Sequence, residues 1–101
     1  MSLVMDPTER LRARNLLFFA TPALWPLWPF LPLVRRRPSR EDDCGLLYDA
    51  FHVTGRTGAS ATVFLVNLFQ LPPTEADFLA VPREVFDTAE DVWAGGWRVD
   101  V

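Results

Sequence analysis

Between Arg14 and Arg35 the chain runs for twenty residues, NLLFFATPALWPLWPFLPLV, without a charged side chain. A run of about 20 apolar residues is long enough to cross a bilayer as a helix. Pro22, Pro26, Pro29 and Pro32 argue against that outcome here. Each proline inside a helix removes a backbone donor and costs about 3 kcal/mol. Lipid offers no water to replace the lost hydrogen bonds. The segment is therefore expected to be extended, with no transmembrane role.

From Leu24 onward the residues fall into rows of period three. Pro26, Pro29 and Pro32 form one row, Trp25, Trp28 and Leu31 a second, and Leu24, Leu27, Phe30 and Leu33 a third. Polyproline II has three residues per turn, so this spacing predicts an extended strip that is apolar on every edge. Long apolar strips are rarely left in water. Its destinations are the chain's own core, the surface of a protein partner or second copy, or a membrane interface. Arg35, Arg36 and Arg37, with Arg40 beyond Pro38, mark its return to water. They are suited to bind phosphate or an acidic partner, as at the rim of a contact, or are a solvated linker meeting Glu41, Asp42 and Asp43.

Half of the 101 residues are hydrophobic and 23% are charged, which excludes a disordered chain and predicts one packed domain. All ten basic residues are arginine, the bias expected of a GC-rich bacterial genome. The net charge of −3 divides unevenly: residues 1–40 carry seven Arg and two acids, residues 41–101 three Arg and eleven acids. Overall acidity repels phosphate backbones, so nucleic acid is not an expected partner. The uneven split also fits two halves, or two copies, that attract each other. One cysteine, Cys44, forms no internal disulfide, and the N-terminal order is not that of a signal peptide. The expected compartment is the cytoplasm.

DPTERLRARNLLFFAT reads as a helix with Asp6 as N-cap, Pro7 in the first turn and Glu9 completing a capping box, closed by Pro22. A turn into strand near residues 16–19 is the alternative. GLLYDAFHV and SATVFLVNLFQL flank TGRTG and read as two strands joined by a glycine-containing loop. A buried helix competes for residues 60–71, because short apolar runs do not distinguish the two. TEADFLAV reads as a short helix capped by Thr74. DTAEDVWAGG reads as another, capped by Asp87, with Ala89, Val92 and Trp93 on its apolar face and Gly95 and Gly96 ending it. WRVDV alternates as a half-buried strand. The expected fold is α+β, a small single domain of residues 1–101. It comprises a short, mainly antiparallel sheet of about three strands, two or three short helices and an extended Pro/Trp-rich N-terminal arm. Residues 1–40 hold the helix and arm, and residues 41–101 the compact α+β core.

The candidate chemistry is thin. Cys44 follows three acids, which favour the thiol over the reactive thiolate. His52 is the one histidine and lies three residues from Asp49, on opposite faces if the segment is a strand. No Cys/His/acid spacing marks a metal site. GASA, around Ser60, resembles a nucleophile elbow, but no histidine follows it. TGRTGAS lacks the lysine of a phosphate loop, so Gly55 and Gly58 read as turn residues, with a small anion at Arg56 as the minor reading. Asn67 and Gln70 interrupt an apolar run, and Asn67 is expected to find backbone partners.

The sequence therefore predicts no catalytic residue, no metal site and no cofactor. It predicts a non-catalytic protein–protein interaction or self-assembly module, with a homodimer as one form. The interacting residues are expected to be Trp25, Trp28, Phe30, Leu33, Arg35, Arg36 and Arg37. A peripheral membrane protein using the same segment is the alternative. A small ligand- or nucleotide-binding domain or enzyme is a further one.

Overall fold

The computed structural model describes residues 6–49 and 61–101. His52, Arg56 and Ser60, the TGRTG loop and the end of the strand expected over residues 45–53 lie outside them. The described residues form an α+β domain. Helix α1 (Pro7–Ala20) is followed by a 3-10 turn (Pro22–Leu24), β1 (Phe30–Arg35), β2 (Asp43–Tyr48) and β3 (Thr62–Phe64). A second 3-10 turn (Leu68–Gln70), helix α2 (Glu75–Leu79), β4 (Arg83–Val85), helix α3 (Ala89–Ala94) and β5 (Arg98–Val99) complete the order.

Local chemistry accounts for the helices. The Asp6 carboxylate accepts from the Glu9 amide at 2.9 Å and Pro7 occupies the first turn of α1. α1 stays helical through residues 16–19 and ends at Thr21, the residue that Pro22 bars from helix. Thr74 caps α2 through the Asp77 amide at 3.1 Å. The cap of α3 is Thr88, which accepts from the Asp91 amide at 3.2 Å, and not Asp87. The run DTAED holds two overlapping cap patterns one residue apart, and the chain uses the second.

The sheet corrects the expectation of about three strands. Among the described residues it has five, in the order β4-β3-β2-β1-β5, all antiparallel. β4 has no signature of its own in the sequence, because three residues, Arg-Glu-Val, carry too little pattern. β1 lies where a polyproline strip was expected. Residues 22–24 form a tight turn, and the Phe30 amide closes another on Leu27 at 3.0 Å, within which the Trp28–Pro29 peptide is cis. From Phe30 the chain is a β-strand whose burial alternates with period two, Leu31 and Leu33 pointing into one core. Pro32 is tolerated because its carbonyl still accepts from Asp100 at 2.9 Å while the missing N–H withdraws only a donor. The N-terminal segment is therefore part of the sheet and not an arm laid beside it. The run at residues 60–71 is neither one strand nor one helix: β3 takes its start and a 3-10 turn its end.

Two cores lie on opposite faces of the sheet. On one, Leu31, Leu33, Leu47, Val63 and Trp97 pack under Phe19 of α1 and Val92 of α3. On the other, Leu46, Tyr48 and Phe64 pack with Phe78 of α2, and Phe30 joins them with its ring stacked 5.4 Å from Tyr48. Trp97 is wholly buried, with its six-membered ring packed against Gly45. A β-carbon at residue 45 would sit 2.5 Å from Val63 Cγ1 and 3.0 Å from the indole, so only glycine leaves room for the ring.

Candidate interaction surface

Arg35 ends β1 on the face that carries Trp97. Its guanidinium lies 4.4 Å above the indole and meets Glu84 of β4 with two parallel bonds, Nη1 to Oε1 at 2.8 Å and Nη2 to Oε2 at 2.7 Å. Its Nε donates to Asp43 of β2 at 2.9 Å. Trp97 Nε1 donates to the same Glu84 at 3.3 Å. Forked arginine–carboxylate pairs are among the stronger hydrogen-bonded contacts and are specific in geometry. The hydrogen bonds from Arg35 hold the Glu84 carboxyl below its ordinary range, while those bonds raise the arginine further.

The arginines beyond it meet the acids of the β1–β2 turn. Arg37 Nε and Arg40 Nη2 donate to the two oxygens of Asp43 at 2.8 and 3.1 Å. Arg36 Nη1 donates to Asp42 at 2.6 Å, and the Arg37 backbone N–H donates to the same carboxylate at 3.2 Å. Bonds from Arg37 and Arg35 hold Asp43 far below the carboxylate range, and the Arg37 amide and Arg36 lower Asp42. A cleft of about 490 Å³ opens beside this cluster, lined also by Cys44, Asn67 and Gln70.

The strip itself divides between interior and surface. Trp25 is 5% exposed and its Nε1 donates to the Phe18 carbonyl at 2.6 Å. Leu33 is buried in the sheet, and Phe30 is half-buried against Tyr48 and Phe78. Trp28 is 50% exposed, held at its polar end by a 2.7 Å bond from Nε1 to Asp49. Leu24 and Leu27, from the third row, are also exposed. Of the seven expected contact residues, Trp28, Arg36 and Arg37 therefore retain an open face, while Trp25 and Leu33 are core and Arg35 is engaged from three sides.

Phe69 was not anticipated. It is 93% exposed, the most exposed of the large apolar side chains among the described residues. Asn67 turns it outward: its side-chain oxygen accepts from the Phe69 amide at 2.9 Å and starts the 3-10 turn. The backbone role expected for Asn67 is thus present. Phe69 and Leu27, with Pro32, Gly45 and Leu46, line a groove of about 210 Å³. The two amides in NLFQL, three apart within an apolar run, were the available signal for a turn here.

No cluster of three or more His, Cys, Asp or Glu suited to a metal lies among the described residues. No helix among them is long and apolar enough to cross a membrane. Compared with known proteins, the chain matches no family model, no curated protein and no solved structure.

Proposed function

We propose that this protein acts by binding protein, first of all a second copy of itself, through the apolar surface bounded by Leu27, Trp28 and Phe69. The observation that carries the reading is Phe69, a phenylalanine held almost fully in water at the rim of an apolar groove. A knob and a hollow on the same patch satisfy the self-complementarity that a two-fold interface requires. Exposed aromatic residues beside a groove are the usual anchors of such contacts. Arg36 takes the rim, where acids of the partner meet it, and no reaction chemistry is assigned.

Light scattering after size exclusion, over a tenfold concentration range, tests the reading. The natural chain is expected at about twice the 11.5 kDa of one chain, and Phe69→Ser at one chain mass with unchanged circular dichroism. A natural chain that stays monomeric throughout would defeat self-pairing. Co-flotation of that monomer with anionic vesicles, abolished by Trp28→Ala, would then favour peripheral membrane contact by the same corner.

A further inference from the structure

We infer that the cleft beside the β1–β2 turn is a binding site for a small oxyanion, a ligand bearing a carboxylate or phosphate on a hydrogen-bonding body, received by Arg37 and Arg40. The inference does not rest on self-pairing.

The cleft is lined by three guanidiniums, those of Arg35, Arg37 and Arg40, against two carboxylates, those of Asp42 and Asp43. The excess is one positive charge, and its location follows from the hydrogen bonds. Arg35 is consumed by Asp43 and Glu84, and Arg36 pairs with Asp42. Asp43 already accepts from Arg35, Arg37 and Arg40, both of its oxygens being engaged. Arg37 Nη1 and Arg40 Nε and Nη1 find no acceptor among the described residues. The surplus charge and the open donors thus belong to the same two side chains, and both line the cleft.

The acids also order the cationic groups. Asp43 clamps Arg37 through Nε and Nη2, the latter at 2.7 Å, so that guanidinium is fixed before a ligand arrives. An arginine fork held in advance loses less freedom on meeting a carboxylate or phosphate. The cleft is lined also by Asn67 and Gln70, whose side-chain N–H groups are unused among the described residues. At about 490 Å³ the space is that of a small-molecule site. A bare anion fills little of it, so the amides are read as partners for the rest of the ligand.

The test is a ¹H–¹⁵N titration of the full chain with inorganic phosphate and, separately, acetate, at ionic strength held constant with chloride. Saturable shifts are expected at the Arg37 and Arg40 side-chain N–H groups and at the Asn67 and Gln70 amides. Arg40→Ala, an exposed position, should weaken the apparent affinity at least tenfold. Phosphate alone saturating assigns a phosphate ligand, and acetate alone a carboxylate. Shifts that stay linear for both anions, that spread equally to Arg10, Arg12 and Arg14, or that survive Arg40→Ala would overturn the site. Phe69→Ser is titrated in parallel. Saturation in both chains keeps the site whatever becomes of pairing, whereas saturation only in Phe69→Ser would assign the cleft to an acidic segment of the second copy and overturn the small-ligand reading.

Discussion

The side-chain oxygen of Asn15 accepts a 2.6 Å hydrogen bond from the backbone N–H of Val99, 84 residues later in the chain. Asn15 lies in the middle of α1, where asparagine is a mediocre helix former, yet it is almost wholly buried. Val99 belongs to β5, an edge strand, and its N–H points away from β1. Asn15 thus covers an edge donor that would otherwise be open to another strand, and it anchors itself by donating to Leu11 at 2.8 Å. Asn15→Ala is expected to cost about 1–3 kcal/mol, the range for leaving a buried polar group unpaired. Urea unfolding measures the loss, and faster amide exchange at Val99 locates it. A change below about 0.5 kcal/mol would remove Asn15 from this role.

Gly45→Ala drives a methyl group into Val63 and the indole of Trp97. Overfilling a packed core costs about 1–3 kcal/mol. Destabilisation in that range or above is expected, with Trp97 released toward water and its emission shifted to longer wavelength. Unchanged emission and stability would mean that the strand and the ring separate more easily than their packing implies.

The two strip tryptophans should behave oppositely. Trp25 fills the core, so Trp25→Ala is expected to destabilise by about 3–5 kcal/mol. Trp28 is half in water, and Trp28→Ala should leave the fold intact while reducing association. Equal losses of stability in both variants would place Trp28 in the core as well.

Acid should loosen the end of the sheet that carries Arg35. The carboxyls of Asp42, Asp43 and Glu84 titrate lower in the folded chain than ordinary acids do. The unfolded chain therefore binds more protons as pH falls, and stability falls with it. The contribution is complete above the unfolded values near pH 4 and disappears as pH drops through the lower folded values. Urea midpoints taken downward from about pH 5 should decline, and less steeply in Glu84→Gln. A Glu84→Gln profile parallel to that of the natural chain would contradict the assignment.

The parts of this fold set by neighbours in sequence were legible. Asp6, Thr74 and Pro22 act within a turn or two of themselves, so the limits of α1 and the start of α2 could be read directly. What decides β1 is distant: Leu31 and Leu33 extend because Leu47, Gly45 and Val99 lie beside them. Prolines at period three concealed that alternation, and the strip's own rows pointed to a different conformation. The fate of Arg35 was equally hidden, since Glu84 lies 49 residues away on a strand too short to show a pattern. At the surface, Trp28, Arg36 and Arg37 were visible as candidates. Phe69 was not, because its exposure depends on one side-chain bond that turns an apolar run outward.

The position of β5 beside β1 has a consequence for the order in which the molecule comes into being. A ribosome makes α1 and β1 early, but the ring that fills the space between them, Trp97, and the strand that flanks them come from the other end of the described chain. Pairings so distant in sequence form late and slow folding. During synthesis Phe19, Trp25, Leu31 and Leu33 must wait without their final neighbours, exposing in the nascent chain the apolar run that the finished fold largely conceals.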